Sequence, residues 1–212
     1  MSHGRFIVFE GGEGAGKSTQ ARLLTEELQR RGMRVLLTRE PGGTPGAEAI
    51  RDLVLDPPGK GWPPAAEALL FAAARADHVV QAIRPALDSG QWVVCDRFID
   101  SSRAYQGGAG GMSDEDILAL HRVGSGGILP DLTILLEAAP EQVARRLSRR
   151  DGGEQDAIGG RDAAYHADVA AAFARFAQAE PERFVRIDGS GAIEATHRNV
   201  LRALKPLLEP GT

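Results

Sequence analysis

Eight consecutive residues near the start of the chain, Gly11-Gly12-Glu13-Gly14-Ala15-Gly16-Lys17-Ser18, fit the pattern G-x-x-x-x-G-K-[ST]. Backbone N–H groups in such a loop can surround a phosphate, and the helix that follows adds the positive end of its dipole. Lys17 would reach the outer phosphates of a nucleoside triphosphate such as ATP, and the Ser18 hydroxyl would ligate Mg²⁺. With Thr19, the residues from Gly11 onward form the expected donor site. A second acid, Asp96, closes the apolar run Trp92-Val93-Val94-Cys95 and is followed by Arg97. An acid in that position can hold Mg²⁺ through water, while the arginine can grip a second phosphate. The first pattern is specific for a triphosphate; the second is weak alone, because helix capping would also explain it.

These residues need strands and helices in a fixed order around them. Phe6-Ile7-Val8-Phe9 reads as a buried strand ending at Glu10, and Ala21, Leu24 and Leu28 mark one face of a helix from Lys17 to Arg31. Gly32 is placed to stop it. Further strands are predicted at Val35 to Thr38, Trp92 to Cys95, Leu132 to Leu136 and Phe184 to Ile187. Between them come a short helix around Ala47 to Val54 and a longer one from about Ala65 toward Leu87, with Pro85 kinking or ending it. Ser113 with Asp116 resembles a capping box. Later helices are expected from Pro140 to about Ser148, around Val169, Phe173 and Phe176, and up to about Leu204. Alternating strands and helices with continuously apolar strands imply an α/β fold, a five-stranded parallel sheet covered by helices on both faces. No repeat, linker or composition break divides residues 1–212, so one domain is expected.

Composition narrows the function classes. The 212 residues are 42% hydrophobic and 25% charged, as in an ordinary globular protein. Apolar runs are far shorter than the ~20 residues of a membrane span, and no secretory signal precedes the glycine loop. A net charge of −4 gives no global field toward nucleic acid. Arginine supplies 22 of the 25 basic residues; genome composition explains most of that, although planar forks also suit phosphates. His3, His78, His121, His166 and His197 lack ligand spacing, and Cys95 reads as a small buried strand residue. A cytoplasmic protein without membrane or nucleic-acid partners is the expectation.

Four ordered blocks carry a closer resemblance: FEGGEGAGKST, TREPGGT-x-GAEAIR, DRF-x-x-SS-x-AYQGG and PDLTILLE. Together, from about Arg5 to about Leu204, the chain resembles the thymidylate kinase family of P-loop NTPase folds. The resemblance implies transfer of the γ-phosphoryl of ATP to dTMP with Mg²⁺, giving dTDP on the route to dTTP, by a cytoplasmic homodimer. On matching positions it implies Glu10 near the acceptor sugar and phosphate, and Arg39 and Arg97 on the acceptor phosphate. It places Phe71 against thymine, Arg75 on a base carbonyl, and Ser102 and Gln106 at the base. Tyr105 would crowd a 2′-hydroxyl. By spacing alone Phe71 would be a core residue. Other readings of the same loop are a kinase for another small molecule and a nucleotide-dependent switch.

Residues Gly14 and Ala15 match the bacterial branch of that family, which carries no arginine in the loop and supplies one from a lid. The lid is expected at about 149–161, with Arg149, Arg150 and Arg161 as candidate catalytic arginines. Where the family reads Asp-Arg-(Ile/Phe)-Glu, this chain has Asp156-Ala157-Ile158-Gly159. Loss of both side chains, beside Gly160, predicts a loosely ordered lid.

Overall fold

The computed structural model describes residues 4–150 and 157–208. Among them lie strands β1 (Phe6–Glu10), β2 (Val35–Arg39), β3 (Trp92–Asp96), β4 (Leu132–Glu137) and β5 (Phe184–Asp188). They form one parallel sheet in the order β2-β3-β1-β4-β5. The helices are α1 (Lys17–Arg30), α2 (Pro45–Leu55), α3 (Pro64–His78), α4 (Arg84–Asp88), α5 (Ile99–Ser102), α6 (Asp114–Ser125), α7 (Pro140–Arg150), α8 (Ala163–Ala179) and α9 (Ile193–Leu208).

Strand side chains alternate between two faces, and each face has its own cover. Ile7 and Phe9 of β1, Val94 of β3 and Ile134 of β4 pack with Ala21, Leu24 and Leu28 of α1 and with Val200 and Leu204 of α9. Phe6, Val8, Val93 and Cys95 meet Ala68 of α3, Val79, Ile83, Phe98 and Ile117 on the other face. Leu135 and Phe184 join a third cluster with Val169, Ala172 and Phe173 of α8. Each large apolar side chain so buried contributes about 1.5–3 kcal/mol, which is why a chain poor in aromatics still holds its sheet.

Two helical segments depart from the sequence reading. The helix expected from Ala65 to Leu87 is continuous, but it widens into a π turn at Val79–Ile83 between α3 and α4. Pro85 lies just beyond that turn. Its ring has no N–H and would crowd the carbonyl four residues back, and the wider turn relieves the conflict without ending the helix. The segment after β3 is helical as well: α5 runs into a second π segment at Arg103–Ala109, a stretch for which the sequence pattern predicts no element. The last helix extends past Leu204 to Leu208, with Pro206 in its final turn.

α5 is anchored from below by charge. Asp100 is fully buried, and its carboxylate receives Arg183 Nη1 at 2.6 Å, Arg183 Nη2 at 2.9 Å and Arg103 Nη1 at 3.0 Å. Arg103 also reaches Asp114 at 2.8 Å and Glu180 at 2.8 Å. The network ties α5 to α6, to the loop before β5 and to the end of α8. Removing one member leaves the others charged and dry. Asp100→Ala should therefore lose about 3–5 kcal/mol of stability. Urea unfolding followed by tryptophan fluorescence measures it, and a loss within the small range of a surface substitution, about 0.5 kcal/mol, would contradict the assignment.

Candidate active site

Parallel strands direct their carboxyl ends to one edge of the sheet, and ligands bind beyond that edge. Here the register pairs Phe9 with Asp96 and Asp96 with Arg39, so Glu10, Asp96 and Arg39 leave the sheet side by side. A cleft of about 730 Å³ opens above them. The loop from Glu13 to Thr19 forms one wall, and Arg39, Phe71, Arg75, Arg97, Tyr105 and Gln106 line the rest. Of the residues expected at the site, Glu13 to Thr19, Arg39, Phe71, Arg75, Asp96, Arg97, Ser102, Tyr105 and Gln106 meet in this space.

The loop keeps its shape through backbone that other residues resist. Gly11 has φ of 133°, and a Cβ there would lie 2.2 Å from the Leu136 carbonyl oxygen of β4. Gly16, at φ of 99°, turns the chain into α1. Four of the loop's carbonyls accept from cations. Lys17 Nζ donates to Gly11 O at 3.0 Å and Gly12 O at 2.7 Å. Arg97 Nη1 donates to Gly11 O at 3.3 Å. Arg146 of α7, which sequence reasoning missed, donates to the Gly14 and Ala15 carbonyls, each at 3.1 Å, and to Gly189 O at 2.7 Å. Nothing in the pattern of α7 separates Arg146 from Arg145; only the tertiary contact does.

Arg97 takes a left-handed backbone, φ 70°, rare for a non-glycine residue. Its N–H donates to Phe9 O at 2.9 Å, and its guanidinium lies 5.1 Å from the centre of the Tyr105 ring. Glu10 does not line the cleft. Its carboxylate is fully buried and accepts from Phe98 N at 2.8 Å, Ser101 N at 3.0 Å and Ser101 Oγ at 2.6 Å. It therefore caps the start of α5, and Ser101 passes the contact on to Arg97 Nη1 at 3.2 Å.

The wall opposite is one stripe of α3. Glu67, Phe71, Arg75 and His78 follow at four, four and three residues, so they share a helical face. Arg75 is 3% exposed; its Nε meets Glu40 Oε2 at 2.8 Å and its Nη2 meets Ser102 Oγ at 2.8 Å. His78 is fully buried between Glu40 Oε1 at 3.1 Å and Thr38 Oγ1 at 2.7 Å, so it orients Glu40 and through it Arg75. Glu40 and His78 were not singled out from sequence, although the α3 spacing contains the signal. Arg39 is more open, and its Nη2 rests on both oxygens of Glu48 at 3.2 and 3.1 Å.

The donor set suits Mg²⁺ held mainly by phosphate and water. Ser18 Oγ donates to Asp96 Oδ2, while Asp96 Oδ1 is buried with no hydrogen-bond partner among the described residues. No group of three or more His, Cys, Asp or Glu among the described residues could hold a metal by itself. Cys95 is buried, its thiol pushed up by burial and its Sγ donating to Arg97 O at 3.0 Å.

The lid divides. Arg149 and Arg150 have side chains outside the described residues, as do residues 151–156. In the part from 157 on, Ala157 N donates to Leu55 O at 3.2 Å, and Ile158 is 7% exposed and lines the cleft. The apolar Ile158 seats in the cluster of Tyr105 and Phe173. Arg161 does not line the cleft; its guanidinium pairs with Glu67 and the Tyr165 hydroxyl.

Burial pushes the Lys17 ammonium down to about 7, helped by Arg97 and opposed by Asp96 and Glu10. Burial and Asp100 push the Glu10 carboxyl up to about 7. A polyanion entering the loop favours the protonated form of both groups. Between pH 7 and 9, ATP binding should therefore take up protons, and affinity should fall as pH rises. Calorimetry at pH 8 in buffers of different ionisation enthalpy reads the uptake directly; heats independent of the buffer would show that Lys17 is already charged.

Comparison with known proteins points to one family. The family model described as thymidylate kinase matches residues 9–200. A thymidylate kinase of Rhizorhabdus wittichii is 52% identical over 97% of this chain and 99% of its own length. One from Bradyrhizobium sp. is 48% identical over 97% of this chain and 91% of its own. The crystal structure of thymidylate kinase from Ehrlichia chaffeensis superposes with a TM-score of 0.76 at 31% identity, covering 96% of this chain and all of that one. A parallel five-stranded sheet, a phosphate loop after β1 and a match along nearly the whole chain lead to one conclusion: the chain belongs to the thymidylate kinase family.

Proposed function

We propose that the protein transfers the γ-phosphoryl group of ATP to the phosphate of dTMP, forming dTDP and ADP. The observation that carries this reading is that a single cleft is lined by the phosphate loop on one side and by Phe71, Arg75, Arg97, Tyr105 and Gln106 on the other. A switch that only hydrolyses ATP needs no such second wall.

The chemistry follows from position and charge. An acceptor phosphate oxygen is already anionic near neutrality, so no general base is required. It attacks the γ-phosphorus in line; the new P–O bond forms as the bond to the β,γ-bridging oxygen breaks, and the electron pair leaves with ADP. Lys17 neutralises charge on the transferring and leaving groups. Ser18 and Asp96 would hold Mg²⁺, which when bound draws the donor phosphates together and offsets their charge. Arg39 and Arg97 fix the acceptor phosphate, where two-pronged donors suit a dianion. Glu10 acts through Ser101 and α5, keeping Arg97 in place. Arg146 and the loop at Gly189 border the donor end. With Arg161 held on Glu67, Arg149 and Arg150 are the proposed lid arginines at the transferring phosphoryl.

On the base side, Phe71 offers its ring, Arg75 a donor for a carbonyl, and Tyr105 excludes a 2′-hydroxyl. Cytoplasmic location and a homodimer complete the reading. No described helix is long and apolar enough to cross a membrane. The apolar Leu69 of α3, Val80 beyond it and Val123 of α6 are exposed and favour a partner subunit.

A coupled assay with ATP, Mg²⁺ and a panel of monophosphates tests the reaction. dTMP should be the preferred acceptor, and dCMP and the ribonucleotide of thymine poor ones; equal use of all would overturn it. Arg97→Ala and Arg39→Ala should each raise the KM for dTMP, by about 1.5–3 kcal/mol in binding, and spare that for ATP. Equal losses for both substrates would show that the two halves of the cleft are wrongly assigned. Tyr105→Ala should relax selection against ribose.

A further inference from the structure

Beside the main cleft lies a smaller recess of about 260 Å³, walled by Trp62, Glu67, Gln106, Arg161 and Tyr165. Gln106 borders both spaces. Its side chain is 2% exposed, and its Nε2 donates to Glu67 Oε1 at 2.9 Å. The other oxygen of Glu67 receives Arg161 Nη2, and Arg161 Nη1 donates to the Tyr165 hydroxyl. That hydroxyl in turn donates to the backbone oxygen of Tyr105 at 2.7 Å. Two chains of contact thus run from the lid's end to consecutive residues of the π segment, one to the Tyr105 backbone and one to the Gln106 amide.

The amide has two ends of opposite character, and its orientation decides what it offers the cleft. A carboxylate paired with a guanidinium presents only acceptors. Gln106 must therefore turn its NH₂ toward Glu67, which leaves Oε1, an acceptor, for the cleft. Oε1 has no hydrogen-bond partner among the described residues and does not count among their buried orphans, so it is open to a ligand. Arg75, which also lines the cleft, spends Nε and Nη2 on Glu40, Ser102 and the Phe98 carbonyl and keeps Nη1 as a donor. A donor beside an acceptor complements a base edge that carries a carbonyl next to a ring N–H. Thymine and uracil have that edge. Cytosine presents an amino group and a bare ring nitrogen instead.

We propose that Glu67 and Arg161 are specificity-determining positioning residues: they lock the Gln106 amide with its oxygen toward the acceptor base, so that the N3–H of thymine is read and cytosine is refused. The inference rests on the proposed use of this cleft for dTMP. It assigns a role to Arg161 that concerns the base, not the transferring phosphoryl. Two features of this chain fit it. Ala157 and Gly159 have no side chain able to tie the lid to the base site, and Arg161 supplies that tie. Glu67 lies four residues before Phe71 on the same face of α3, so the residue that orients the amide and the ring beside the base ride on one helix.

The test is the ratio of kcat/KM for dTMP to that for dCMP, with dUMP as control because its reading edge equals that of thymine. Glu67→Gln is nearly isosteric but can donate or accept, and Arg161→Ala removes the partner that holds Glu67 Oε2, so that Oε1 is no longer fixed against the Gln106 amide. Each should lower the dTMP to dCMP ratio about tenfold or more, the value of one oriented hydrogen bond. The dTMP to dUMP ratio should stay at the wild-type value. Arg161→Lys, which keeps a charge opposite Glu67, should recover part of the preference. Equal loss with all three substrates, or an unchanged dCMP ratio in both variants, would overturn the proposal and leave Arg161 a structural brace. A wild-type protein that does not prefer dTMP would remove the underlying reading itself, and that result is visible before any variant is made.

Discussion

The site depends on cations being fastened to the carbonyls of the loop between β1 and α1. Backbone N–H groups that face a bound anion leave their carbonyls facing away, and buried carbonyls need donors. Lys17, Arg97 and Arg146 provide them from three elements, α1, the end of β3 and α7. The same contacts that satisfy the loop also place three cations along the cleft, where the proposed reaction would bring the phosphates. Little side-chain entropy is left to lose when substrate arrives, and in a dry cleft each charge acts at greater strength than in water.

That arrangement explains the strain and the buried acid next to it. A left-handed Arg97 is unfavourable by itself, but Phe9, Gly11, Ser101 and Tyr105 all constrain it. Glu10 is placed by β1 directly before the loop and spends its oxygens on α5, so loop and acceptor wall are set by one carboxylate. Asp100 with Arg103 and Arg183 fixes α5 from the opposite side. α5 is thereby tied on both sides, which suits the proposed reaction, one that gains mainly from positioning.

What the sequence revealed follows the range of the interactions involved. The strands were legible because buried parallel strands are continuously apolar, and the phosphate loop because its glycines and lysine are local. Most of the acceptor side came from blocks around Arg39, Phe71 and Arg97 that resemble a family. Arg146, Glu40, His78 and the Glu67–Arg161 pair were not legible as partners, since their contacts join residues far apart in sequence. The α3 face of Glu67, Phe71, Arg75 and His78 could have been found, because its spacing is helical throughout. The π turns could not, as they answer packing and a proline rather than a periodic pattern. In the lid, Ala157 and Gly159 in place of an Arg and a Glu suggested loose order, a signal that says nothing of the contacts Ile158 and Arg161 make at its described end.

In the proposed reaction one cleft holds donor and acceptor together, end to end across the loop between β1 and α1. Binding of a ligand in which adenosine and thymidine are joined through a polyphosphate chain, measured by calorimetry, tests it most directly. If both halves seat at once, the joined ligand should bind more tightly than ATP or dTMP alone by a factor on the order of 10²–10⁴ and compete with each of them. An affinity no better than that of ATP, with dTMP still able to bind beside it, would show that the two sites are not the continuous cleft described above.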